Sequence, residues 1–81
     1  MACDTVFLHR IRPERNEQRF YRLEVVVDLF GTTLLRRQWG RIGTDGRTRE
    51  TPFVDPQIAA DALDRLATSK RRRGYWRPAD H

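Results

Sequence analysis

The sequence is poor in the residues that most enzyme sites and structural metal centres are built from. One cysteine, Cys3, excludes an internal disulfide and any zinc site made from several thiolates. Two histidines, His9 and His81, stand at opposite ends of the chain without the spacing of a ligand pair, so no metal site is expected. No Ser/His/Asp or Cys/His set, no carboxylate pair and no phosphate-cradling glycine loop before a helix is evident, so catalysis is not expected and no cofactor is called for. No apolar run approaches the roughly 20 residues of a membrane span, and the N-terminus lacks the apolar stretch of a signal peptide. The expectation is a cytoplasmic protein without membrane or small-molecule partners, nucleoid-associated if it binds DNA.

Lysine is nearly absent too. Of the 16 basic residues only Lys70 is a lysine, and the rest are arginines. A codon bias toward arginine would account for the ratio but not for the positions. Arginine's planar fork suits bidentate phosphate contact and stacking on aromatic rings. Net charge is +5, which favours encounter with polyanions. Eighty-one residues make one domain with one modest core, burying about 60% of the surface an unfolded chain exposes. A binding module fits that size better than a multistep enzyme.

Along the chain, Thr5 to Ile11 reads as a short strand stopped by Arg12-Pro13, with a polar loop at "PERNEQ". Arg19 to Phe30 alternates, with Tyr21, Leu23, Val25, Val27 and Leu29 on one face and Arg22, Glu24 and Asp28 on the other. Gly31 supplies a turn, and Thr32 to Ile42 returns as a third strand. Gly43-Thr44-Asp45-Gly46 is a second turn, followed by a strand from Arg47 to Val54. Asp55-Pro56 starts a helix, with Asp55 as N-cap and Pro56 in the first turn. Ile58, Ala59, Ala62, Leu63, Leu66 and Ala67 recur at helical spacing, and Gly74 closes the helix. The expected fold is α+β: one antiparallel sheet of four to five strands with one helix packed on it, core about 6–76, with frayed ends at 1–4 and 78–81.

The stretch Arg36 to Glu50 sets Trp39 among five arginines. On a strand Arg37, Trp39 and Arg41 form one row about 13 Å long. A row with a guanidinium on each side of an indole makes a poor core layer, because each buried unpaired charge costs several kcal/mol, roughly. It suits a sugar-phosphate backbone, with the arginines on phosphates and the indole stacked on a base or sugar. The plainer alternative is a half-buried sheet aromatic under arginine stems. The opposite row, Leu34, Arg36, Gln38, Gly40 and Ile42, is not cleanly apolar, so the pattern leaves open which row faces the helix. "KRRR" at Lys70 to Arg73 equally suits compensation of the helix dipole or an extension of the basic surface.

"WGRIG" at Trp39 to Gly43, following a strand and preceding a glycine-containing turn, resembles the signature of the WGR domain. The aromatic-rich strand "RFYRLEVV", the acid-Pro helix start, and Lys70 shortly before Gly74-Tyr75 extend the likeness over roughly Val6 to Trp76. The resemblance implies a sheet with one helix and, as in DNA-dependent poly(ADP-ribose) polymerases, binding near DNA breaks. There the signature Trp stacks on sugar or base and the signature Arg contacts DNA and neighbouring domains, roles that carry onto Trp39 and Arg41. Gln18 and Arg19, at the start of the preceding strand, are a looser match. With Arg37, Lys70, Arg72 and Tyr75 they complete the candidate surface. No catalytic or zinc-finger domain is expected beside it, so the polymerases' allosteric role is not expected to transfer. The expected partner is nucleic acid, most of all DNA, with ends or nicks as its finer form. The alternative is an adaptor that docks an acidic protein through the same surface.

Overall fold

Alternating side chains on four consecutive segments build one antiparallel sheet, in which every strand pairs with its neighbour in sequence. The computed structural model describes residues 5–78. Its elements are β1 (Thr5–Arg12), β2 (Glu17–Val27), β3 (Thr33–Arg41), β4 (Arg47–Phe53) and the helix α1 (Pro56–Arg72). The fold is α+β, and the sheet has four strands. Fraying of residues 1–4 and 79–81 lies outside the described residues, while Pro78 is half-buried.

The helix packs on one side of the sheet because its apolar stripe matches one row from each strand. Ala59, Leu63 and Ala67 recur every four residues and are buried. They close a core with Leu8, Tyr21, Leu23, Leu35 and Tyr75. After α1, Gly74 takes φ +92°, and the chain turns back so that His9 and Trp76 exchange backbone hydrogen bonds of 2.8 Å along the outer edge of β1.

The register decides which row of β3 faces the helix. Tyr21 pairs with Trp39, Leu23 with Arg37 and Val25 with Leu35, and directly paired residues share a face. Leu23 and Leu35 are in the core, so Thr33, Leu35, Arg37, Trp39 and Arg41 lie on the helix side. Leu34, Arg36, Gln38 and Gly40 lie on the open side.

One expectation is corrected. The alternation of β2 does not continue to Phe30: the strand ends at Val27, and Leu29 is fully exposed. The Asp28 carboxylate accepts from the amides of Phe30 and Thr32, both at 2.9 Å, and Gly31 sits at φ +80°. Local turn chemistry overrides the period-two pattern there. At the other end β2 starts at Glu17, because Pro13–Arg15 form a tight 3-10 turn closed by Asn16 at φ +50°. Asparagine is among the residues that tolerate that conformation.

Asp55 caps α1 as expected, its carboxylate accepting from the Gln57 amide at 2.7 Å. Asp55→Ala is expected to lower stability by about 1 kcal/mol. A thermal melt checks this, and an unchanged melt would mean that the cap contributes nothing. Asp55 lies at the helix start, away from the arginine row, so ligand affinity should not move.

Candidate nucleic-acid interface

The helix side of the sheet is apolar only at one end. Toward the other end the same rows turn cationic. Arg10 pairs with Arg19 and Arg19 with Arg41 across three strands, and Arg37 pairs with Arg49. Like charges set directly opposite each other destabilise a sheet. The open side is the reverse: Arg36 donates to Glu50 at 2.8 Å and to Glu24 at 3.2 Å. The Glu50 hydrogen bond leads in holding the Arg36 guanidinium above its ordinary pKa. Carboxylates therefore neutralise one face, while on the other, among the described residues, only Glu17 takes an arginine, Arg10.

Trp39 stands between the apolar and cationic regions. It is half-buried, its ring 6.1 Å from that of Tyr21 with the planes 20° apart, and the Arg37 guanidinium lies 6.0 Å from its centre. One part of the indole thus belongs to the core and the rest is open to a partner. Its backbone is fixed by two glycines. A Cβ on Gly46 would lie 2.1 Å from the Trp39 carbonyl oxygen, and one on Gly40 would lie 2.7 Å from the Gly46 Cα. Gly46 also has φ +64°. The Gly of Trp-Gly-Arg and the last residue of the turn are therefore in mutual contact that side chains would break.

Lys70 reaches over this junction from the last turn of α1. Its ammonium lies 4.4 Å from the ring centre of Tyr21 and 5.7 Å from that of Tyr75. Partial burial lowers its pKa first, and Arg73, Arg10, Arg37 and Arg19 lower it further. These four arginines and Lys70 thus form one cationic cluster where the helix ends over the sheet.

The sign of its pH linkage follows. A lysine whose folded pKa is depressed costs stability while charged, so the cost is present at neutral pH and is relieved as pH rises through the folded value. Lys70→Met is expected to melt at or above the wild-type temperature at neutral pH, with the difference shrinking only in the alkaline range below the ordinary lysine pKa. A wild type more stable than the variant at neutral pH would refute this.

Arg41 is exposed and aimed by Asn16, donating to its carbonyl oxygen at 3.2 Å and its Oδ1 at 3.4 Å. Arg15, Gln18, Arg19 and Arg41 line a concavity of about 410 Å³ between the β1–β2 connection and the end of β3. Arg19, Arg37, Trp39, Arg41 and Lys70 are thus gathered on the helix side toward one end of the molecule, and Gln18 borders the concavity from the alternate, open-side row of β2.

Two residues from the expected surface sit differently. Tyr75 is only 8% exposed and packs edge-on to Tyr21, so its ring supports the site from below and offers no stacking face. Arg72 lines a separate concavity on the outer side of the helix with Asp64, Arg65, Thr68, Ser69 and Arg73. Arg10 and Arg49 went unassigned in the sequence, and Arg73 was open between helix-dipole compensation and the basic surface. The alternation Val6, Leu8, Arg10 in the first strand was the available sign of the first.

Among the described residues no group of three or more His, Cys, Asp or Glu could hold a metal ion, and no helix is long and apolar enough to cross a membrane. The WGR domain family model matches residues 4–81. An uncharacterized protein of Sinorhizobium fredii (strain NBRC 101917 / NGR234), y4dW, is 37% identical over 70 residues, covering 86% of this chain and 34% of that protein. The chain therefore spans about a third of that relative's length. No solved structure matches it.

Proposed function

Because the chain belongs to the WGR domain family, we propose that it is a nucleic-acid-binding module whose ligand is DNA, held at the cationic end of the helix side, with ends or nicks as the preferred form. The observation that carries this reading is the like-charge pairing on that side, Arg19 with Arg41 and Arg37 with Arg49, with no carboxylate partner for these four among the described residues, and Arg10 with Arg19, where Glu17 takes Arg10 alone. A bound polyphosphate removes the repulsion that the free protein sustains. In this reading Arg19, Arg37 and Arg41 take phosphates, Gln18 donates to the backbone beside them, and Lys70 adds a charge over the Tyr21 ring. Trp39 supplies a flat apolar surface at the border of the cluster for a base or sugar. In this reading binding uses no metal, cofactor or bond-breaking step, and the protein works in the cytoplasm with the nucleoid.

The test is a titration of the chain against blunt, nicked, single-stranded and closed duplex DNA at two salt concentrations. Affinity should fall steeply with salt, because several phosphates are neutralised and their counterions released. Nicked or blunt duplex should bind more tightly than closed duplex. Equal affinity for all duplex forms would remove the preference for ends while leaving the binding. Absence of salt-dependent binding to any form would favour the adaptor reading, in which the same surface docks an acidic protein.

A further inference from the structure

Leu29, Phe30 and Val54 are almost wholly in water, at 100%, 92% and 96% exposure. Val27 pairs with Thr33 and Thr33 with Phe53, so the β2–β3 turn lies beside the end of β4 and the start of α1. The three side chains therefore share a pole with the partly exposed Val27 and Ile58. Single exposed apolar residues are ordinary, but five gathered at one end of a molecule 44 Å long form a patch of the kind that marks interfaces. The turn that presents Leu29 and Phe30 is also fixed. Besides the two hydrogen bonds to the Asp28 carboxylate, the Asp28 amide donates to the Thr32 carbonyl at 3.0 Å and the Gly31 amide to the Asp28 carbonyl at 3.1 Å. Little ordering is left for a partner to impose.

We propose that this pole is a self-association surface, covered by the same pole of a second copy of the chain in a two-fold dimer. The charge distribution selects the occupant. Residues 25–35 and 50–64, which build the pole, contain no lysine or arginine and five carboxylates, of which Glu50 is paired with Arg36 and Asp28, Asp55, Asp61 and Asp64 surround the apolar side chains, while the cations crowd the opposite end. For a chain of net charge +5, contact through this pole keeps the two arginine clusters furthest apart. It also sets apolar against apolar. The arginine end would offer Leu29 and Phe30 little besides Trp39, among guanidinium groups that resist desolvation. A contact of one patch with its own copy is self-complementary and closes at two. The patch, on the order of a few hundred Å², falls short of the roughly 800 Å² per partner of a standard interface. The dimer is accordingly reversible and presents a cationic end at each extremity. This inference does not rest on the nucleic-acid reading.

Sedimentation equilibrium of the chain without nucleic acid, from micromolar to millimolar concentration and at low and high salt, tests it. The apparent mass should rise from 9.6 kDa toward twice that value. Salt should strengthen the association, since the contact is apolar and Asp28, Asp55, Asp61 and Asp64 around it repel their counterparts in the second copy until screened. Phe30→Glu and Leu29→Glu should each raise the dimer dissociation constant at least about tenfold, and both should melt as wild type because the replaced side chains are solvated. A wild type that stays at 9.6 kDa throughout would overturn the proposal and leave the pole for a different protein. Association abolished by salt, or undiminished in both variants, would overturn it equally.

Discussion

Trp39→Ala is expected to weaken DNA binding by about 1–3 kcal/mol, the amount a single base–aromatic stack contributes, while leaving the slope of log affinity against log salt nearly unchanged. The lost contact is not electrostatic. Arg41→Ala should differ in kind and flatten that slope by roughly one unit, because one phosphate fewer is neutralised. Trp39 also packs on Tyr21 and the core. Its removal should therefore cost about 2 kcal/mol of stability, less than the 3–5 kcal/mol of a fully buried tryptophan. Denaturant unfolding of the variant separates the two effects. A folded Trp39→Ala protein that binds every DNA form as tightly as the parent would sink the stacking role and promote the adaptor reading. A loss of 3–5 kcal/mol in stability, with binding failing only as the protein unfolds, would make Trp39 a core residue.

The apolar half of the architecture was legible because its signals are local and periodic. Alternation in β2, the Asp55-Pro56 start, the helical stripe and the Gly43–Gly46 turn each specify an element within a few residues. The end of β2 was misread because Leu29 and Phe30 continue an apolar alternation that the Asp28 side chain and Gly31 terminate by turning the backbone. Which row of β3 faces the helix was not legible, since neither row is cleanly apolar. Only the pairing of Leu35 with Val25 and of Arg37 with Leu23 decides it.

The site was legible in part for the same reason. Trp39, Arg37 and Arg41 announce themselves by spacing within one strand. The contribution of Arg10 depends on register between strands, that of Arg73 on where the helix ends over the sheet, and the burial of Tyr75 on the return of the chain to β1. These are relations between distant segments. Tyr75 shows the consequence: beside Lys70 and Gly74 it reads as part of a basic aromatic surface, yet its ring completes the core beneath that surface.

Gly46→Ala is expected to be among the most damaging small substitutions in the chain, and Gly31→Ala is its control. Both glycines hold positive φ, +64° and +80°, so alanine at either pays the left-handed penalty of about 1–2 kcal/mol. At Gly31 nothing lies within 4 Å of the added Cβ, so the penalty ends there. At Gly46 the Cβ would sit 2.1 Å from the Trp39 carbonyl oxygen, 2.7 Å from its carbonyl carbon and 3.1 Å from the Phe20 ring. The turn must then withdraw from the end of β3. Urea unfolding should show Gly46→Ala losing at least about 2 kcal/mol more than Gly31→Ala, because backbone in close contact cannot yield as a flexible side chain can. The same displacement moves the indole relative to Arg37 and Arg41, so Gly46→Ala should also bind DNA more weakly at temperatures where it remains folded. Gly31→Ala, at the apolar pole, should bind as wild type. If the two variants lose equal stability, the contact between the turn and the Trp39 backbone is not what holds the indole in place, and Gly46 serves only the conformation of its own turn.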